Sequence, residues 1–411
     1  MTTATVSAAR LAAHSFVPPR VTHSFVPPSG VPVSFTGRAG EFFKMLVKGG
    51  LLQIPTFGFY RFWLITQVRQ HLWASTRVGD EAFEYTGTAK EILIGFLIAL
   101  AILVPIYIGY FVLGILAEEM QAFASLPLVL VLYGLAQYAA YRARSYRATR
   151  TTFRGLRFWM DGSGWAYAGK AALWDLATAL TLGLAYPWRK AALERYLMQH
   201  TLFGSLRGNF VGTGGAFFKR AAWIWFLNVG IVALVAVTLG NSGREPGARI
   251  FVILLLLAIP FTLPMFLAIQ ARWQAEGVRF GSVGVVSTLK KGAFIGTFIK
   301  LVLSNIALLV GFMAFIAALS FPVVGDLQAF EQTGLTSQLS AFFVVAVLAY
   351  LGVIIGLGIL QRYFMGRGLW AILAESLIVT NLSALDEVVA AGNPVSGLGE
   401  GLADAFDLGG V

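Results

Sequence analysis

The chain contains no cysteine. Disulfides, thiolate metal sites and cysteine nucleophiles are therefore excluded. Charge is scarce as well: 12% of the residues are Asp, Glu, Lys or Arg, against about 25% in an ordinary soluble domain. Histidine occurs four times, at His14, His23, His71 and His200, in no spacing that would converge on a metal. No apolar run carries a central Asp, Glu, Arg or His, which argues against a proton-driven pump. The stretch "GTGGAFFKR" at Gly212–Arg220 has the glycines of a phosphate loop but leads into an apolar span, outside any strand–loop–helix nucleotide context. No catalytic, cofactor-binding or metal-ligating set is expected, and no cofactor.

What is present is apolar. Hydrophobic residues make up 57% of the 411 positions. Six runs approach or exceed the ~20 residues that cross a bilayer core: Glu91–Ala117, Phe123–Tyr141, Lys219–Gly240, Arg249–Gln270, Phe294–Phe321 and Leu339–Leu360. Three connecting loops are short and poor in basic residues, around Glu118–Glu119, Asn241–Ala248 and Asp326–Glu331. Of 31 Lys and Arg residues, all but Arg244 and Arg249 lie in the other segments. The positive-inside rule then places both termini, the Arg142–Arg220 region and the Arg272–Lys291 loop in the cytoplasm. The net charge of +11 reads as this bias plus contact with anionic lipid headgroups, with no nucleic-acid partner expected.

Two stretches nearly repeat. "TFGFYRFW" at Thr56–Trp63 and "TLGLAYPW" at Thr181–Trp188 each follow an apolar run and precede a basic helix. The same offset holds without a gap from Thr56–Thr88 to Thr181–Thr213. Along it Thr56 matches Thr181, Gly58 matches Gly183, Trp63 matches Trp188, and Gly79 matches Gly204. Such a bias toward Gly, Trp and Thr indicates duplication. The apolar run Gly49–Tyr60 is too short for a ~30 Å core, and basic residues flank both stretches. Both are expected to be helical hairpins that dip into one leaflet and return, with Thr56 and Thr181 bonding freed backbone groups, Gly58 and Gly183 allowing the turn, and Trp63 and Trp188 anchoring at headgroup level. The rival reading makes them two further crossings.

The expected fold is all-α: a polytopic membrane bundle of six crossings plus two re-entrant or interfacial helical hairpins, with a small cytoplasmic layer of basic helices and short β-hairpins. Segments around Phe35, Phe83–Tyr85, Leu156–Trp159 and Phe210 alternate enough to be strands, and "DGSG" at Asp161–Gly164 has hairpin-turn chemistry. The organisation reads as a disordered tail over 1–33 carrying a tandem "HSFVPP", a repeat over 34–141, a second over 142–272, a degenerate third over 273–380, and an acidic tail over 381–411. In that tail Glu400, Asp404 and Asp407 share one helical face and are expected to fold back on the basic Arg142–Arg207 layer.

The motifs "FTGRAGEFF", "TFGFYRFW", "EYTGTAKEIL", "TLGLAYPWR" and "GEGLADAFD" resemble the YjgN-like family of bacterial multi-pass inner-membrane proteins. The resemblance implies an inner-membrane location and a topology class, and no activity. Midplane breaks and polar groups are the candidate ligand positions: Asn228, Asn305, Pro260 and Pro264. Kinks and interhelical hydrogen bonds account for the same residues without a ligand. The expected function is a structural or interaction role at the cytoplasmic face; the alternative is a transporter or conduit for a small solute or lipid.

Overall fold

The structure, a computed structural model, describes residues 30–116, 121–242, 245–325, 337–392, 395 and 397–406. The tandem "HSFVPP" with His14 and His23, the Glu118–Glu119 and Asp326–Glu331 loops, Arg244 and Asp407 lie outside them.

Ten short strands close into one antiparallel barrel. They are β1 (Gly30–Phe35), β2 (Thr76–Val78), β3 (Glu81–Tyr85), β4 (Thr151–Phe153), β5 (Leu156–Met160), β6 (Thr201–Phe203), β7 (Leu206–Phe210), β8 (Val278–Phe280), β9 (Val283–Ser287) and β10 (Leu377–Thr380). Each pairs with its neighbours in sequence, and β10 pairs with β1 to seal the ring, Val31 opposite Val379. At one end the strands are joined by two-residue turns. Right-handed twist favours turn residues at positive φ there. Gly79, Arg154 with Gly155, Gly204 and Gly281 supply them, at φ 62°, 52°, 72°, 52° and 57°.

At the other end every connection is helical. Helices α1 (Ala39–Gln53) and α2 (Arg61–Ser75) join β1 to β2, and α3 (Ala89–Leu116) and α4 (Gln121–Thr149) join β3 to β4. Next, α5 (Gly164–Leu180) and α6 (Tyr186–Gln199) join β5 to β6, and α7 (Gly214–Ser242) and α8 (Pro246–Gly277) join β7 to β8. Last, α9 (Ile295–Gly325), α10 (Ser337–Gln361), a π-helix (Arg362–Gly368) and α11 (Leu369–Glu375) join β9 to β10. Because adjacent strands run in opposite directions, all these arms leave from the same end of the barrel.

Period-two alternation turns one face of each strand inward. Val33, Val78, Phe153, Phe203 and Val283 are buried inside, with Phe83, Phe158 and Phe280 packed against them. Phe83 stacks on Phe153, and Phe158 packs at a tilt against Phe203, each at 4.7 Å between ring centroids. Side chains fill the interior, as in other small barrels. A 3₁₀ turn at Leu382–Leu385 covers the turn end with Leu385, and Ala374 of α11 reaches the cluster from the helical end.

The all-α expectation is therefore corrected. Five helical segments among the described residues are long and apolar enough to cross a membrane: Ala89–Val112, Gly214–Gly240, Gly247–Gly277, Ile295–Ser320 and Phe342–Glu375. The run at Phe123–Tyr141 belongs to α4, which carries on through Arg142, Arg144 and Arg147 and is not among the five. Neither do two re-entrant hairpins hang from a bundle: α1–α2 and α5–α6 are arms rooted in the same barrel as the long ones. "DGSG" is no strand turn either. It leads β5 into α5, where Ser163 caps the helix and accepts the Ala166 N–H. The strands expected around Phe35, Phe83–Tyr85, Leu156–Trp159 and Phe210 are β1, β3, β5 and β7, whereas β2, β4, β6 and β8, at three residues each, are too short for alternation alone to reveal.

The last described helix, α12 (Leu398–Ala405), lies between α3 and α4. The close fit depends on glycine. A Cβ on Gly401 would collide with the backbone of Gly95 and Phe96, and one on Gly399 with Arg142.

Candidate functional site

The two Thr-x-Gly turns are alike bond for bond. Thr56 Oγ1 donates to the Leu52 carbonyl at 2.7 Å and accepts the Tyr60 N–H at 3.1 Å. Thr181 Oγ1 donates to the Ala177 carbonyl at 2.8 Å and accepts the Ala185 N–H at 3.0 Å. Gly58 N–H reaches Gln53 O at 2.8 Å, and Gly183 N–H reaches Thr178 O at 2.7 Å. The glycines stand at φ 84° and 89°, where a side chain would be strained. Trp63 stacks on Tyr60, whereas Trp188 packs on Phe218 and over Gly214.

Of the candidate midplane residues, the structure brings Asn228 and Pro260 together. Both line a cavity of about 810 Å³ between α7, α8 and the α5–α6 turn, and Gly183 lines it too. Asn228 Nδ2 donates to Thr262 Oγ1 at 3.1 Å, joining α7 to α8. Besides Thr178 and Gln270 the other walls are mostly apolar, with Phe218, Ile224, Ile259 and Phe266. Trp225 closes the far side, its indole N–H donating to Leu182 O at 3.1 Å. Pro264 is inside α8 and is not one of these walls; Asn305 is on α9, with its Oδ1 buried and without a hydrogen-bond partner among the described residues.

A second cavity, of about 670 Å³, lies between α8, the start of α9 and the π-helix. Its walls are more polar: Gln270, Gln274, Gln361 and Arg362 face it, and Trp370 is at its barrel side. Trp370 stacks on Trp73 at 4.9 Å and donates to Thr76 Oγ1 at 2.9 Å, which ties the chamber to the barrel rim.

Leu267 and Gln270 line both cavities. Gln270 bonds in both directions. Its Oε1 accepts from the Tyr186 hydroxyl at 3.0 Å, and its Nε2 donates to Gln274 Oε1 at 3.3 Å. Gln274 in turn donates to Glu194 Oε1 at 2.9 Å. Arg144 and Lys190 flank Glu194 at 3.3 and 3.2 Å. Burial alone would raise the Glu194 pKa, but the two cations and the Gln274 amide outweigh it and hold the carboxyl below its usual range. Of these residues, the sequence reading noted only that a span ends at Gln270. Paired glutamines at i and i+4 where an apolar helix ends were the available signal.

The acidic C-terminal helix meets the basic layer. Glu400 is 2% exposed and pairs with Arg69 and Arg147, and Asp404 pairs with Arg61. Arg147 belongs to the expected layer; Arg61 and Arg69 lie on α2, outside it. Asp175 pairs with Arg189 and accepts from the Tyr133 hydroxyl. Among the described residues no three His, Asp or Glu side chains converge to hold a metal ion.

A filled barrel carrying membrane-length apolar arms defines an integral membrane protein. Residues 30–247, more than half of the chain, match the family described as bacterial protein of unknown function (DUF898), and the chain belongs to that family. A relative, the inner membrane protein YjgN of Salmonella typhimurium, is 24% identical over 124 residues. That match covers 30% of this chain and 30% of the relative, so the chain spans less than a third of the relative's length there. No solved structure matches the chain.

Proposed function

We propose that the protein is a structural or interaction protein of the bacterial inner membrane, working through a rigid platform at the cytoplasmic face: the barrel and the basic helices beside it. The filled barrel interior carries this reading. A lumen packed with Phe153, Phe158 and Phe203 offers stiffness and no path along its axis. The charge pattern favours the cytoplasm for the barrel side and both termini. Contact with anionic headgroups is favoured by Arg220, Arg272 and Lys291, which gather around a pocket of about 210 Å³ at the barrel ends of α7 and α8 and the start of the α9 arm.

The alternative, a conduit for a small solute or lipid, has the cavity at Asn228 and Pro260 in its favour. A conduit would have to run there, beside the barrel and not through it.

Because the chain lacks cysteine, one introduced thiol reports sidedness without ambiguity. Asp80→Cys, in the β2–β3 turn, is expected to react with a membrane-impermeant maleimide only after the inner membrane is opened. Reaction in intact spheroplasts overturns the cytoplasmic platform. Vesicles bearing the protein are expected to retain entrapped small solutes; release above that of protein-free vesicles favours the conduit.

A further inference from the structure

We propose that the apolar groove and the polar chamber form one bipartite site for a membrane phospholipid, with an acyl chain along α7 and α8 beneath the α5–α6 turn and an anionic headgroup at Gln270, Gln274 and Arg362. The proposal concerns occupancy of the cavity that the conduit reading also uses, and it stands without any transport through it.

Position commits the occupant. The groove walls Asn228, Ile259 and Thr262 lie within two of the membrane-length segments. The outer faces of the same helices expose Phe226, Leu227, Leu257 and Phe261. An apolar hollow continuous with such faces opens onto lipid, where acyl chains fill it and water does not. Its volume of about 810 Å³ falls within the range of about 300–1,000 Å³ typical of ligand pockets.

The second half has a different chemistry. Past Leu267 and Gln270 the walls add Gln274, Gln361 and Arg362 to apolar groups such as Leu369 and Leu373. Amide N–H groups and a guanidinium are donors suited to phosphate oxygens. An independent feature marks the same place: Arg362 opens a seven-residue π-helix, a conformation rare in proteins and concentrated at functional sites. Gln270, bonded to Tyr186 on the groove side and to Gln274 on the chamber side, stands where the chain and the head of an amphiphile would meet.

The test uses the full chain, purified in detergent, exposed to equal phosphatidylglycerol and phosphatidylcholine, and examined by native mass spectrometry. Wild type is expected to keep one phosphatidylglycerol in preference to phosphatidylcholine. Ala222→Trp fills the groove and is expected to cut retention by about tenfold or more, the contact of about two buried methylenes. Val310→Trp, on the exposed face of α9, is the control and is expected to retain lipid as wild type does. Arg362→Gln is expected to erase the headgroup preference while keeping a lipid. Equal retention by wild type and Ala222→Trp overturns the groove, and equal retention of the two headgroups by wild type overturns the chamber. A phospholipid with a photoactivatable acyl chain, used on wild type, covers the case in which Ala222→Trp does not fold. Adducts on α7 and α8 peptides support the site; adducts spread equally over α3 and α9 overturn it.

Discussion

Glu400 answers two guanidinium groups from a position that water scarcely reaches. Arg69 is fully buried beside it and also donates to the Tyr85 hydroxyl at 3.2 Å. Removing one partner from such a group leaves buried charge uncompensated, at a cost of about 3–5 kcal/mol. Glu400→Gln is expected to lower stability by that order, read as a fall in thermal midpoint of the detergent-solubilised protein. An unchanged midpoint would mean that the pairs contribute nothing. His71 offers a second test. Burial, then the nearby Arg367, pushes its pKa below the ordinary 6.5, with Glu41 opposing in part. The unfolded chain therefore takes up a proton near pH 6.5 that the folded chain refuses until lower pH. This contribution to stability is complete above 6.5 and declines as pH falls toward the folded value. His71→Phe is expected to flatten stability between pH 7 and 5 relative to wild type; parallel curves would refute it.

Among the elements, α12 shows how a chain end can become part of a membrane-side core. Leu402 and Ala403 are buried against Ala99, Ala139 and Ala143, and small residues on all three helices allow close approach. At Gly401 the colliding groups are backbone atoms of α3, which cannot rotate aside. Gly401→Ala is expected to expel the helix, seen as faster hydrogen exchange over 398–406 and new protease cleavage there. Protection equal to wild type would contradict the wedge. The sequence already held half of this arrangement. Glu400 and Asp404 share a helical face, and the acids of the tail oppose the bases of Arg142–Arg207. It did not reveal that Arg61 and Arg69, from the first arm, complete the pairs. Nothing local links residue 69 to residue 400. The threonine and glycine parts of the turn chemistry were legible: Thr bonding back one helical turn and Gly at positive φ are short-range requirements, and both turns meet them.

At the scale of the whole molecule, the barrel interior is the packed core in which the strands bearing the helical arms meet. Phe203 is 2% exposed and touches Phe153 and Phe158 at 6.4 and 4.7 Å between ring centroids. Phe203→Ala is expected to cost about 3–5 kcal/mol, measured by denaturant unfolding in mild detergent. A cost near zero would mean that the lumen is loosely filled. The candidate ligand residues divide in the same way. Asn228 and Pro260 could be picked out in sequence because a polar or helix-breaking residue in an apolar run stands out. Gln270, Gln274 and Arg362 could not, since end-of-helix polar residues are ordinary until a fold gathers them around one space.

Composition and run length by themselves determined that this chain belongs in a membrane, because the cost of burying or exposing apolar segments depends on their length and content, wherever they pack. Local chemistry determined the two Thr-x-Gly turns. Only the tertiary structure decided that ten short strands, dispersed between helical arms from Gly30 to Thr380, join into one closed ring. Strand pairing is a non-local bargain between backbone groups far apart in the chain. Three residues of alternation carry too little signal to announce a partner that the chain reaches only after a whole helical arm.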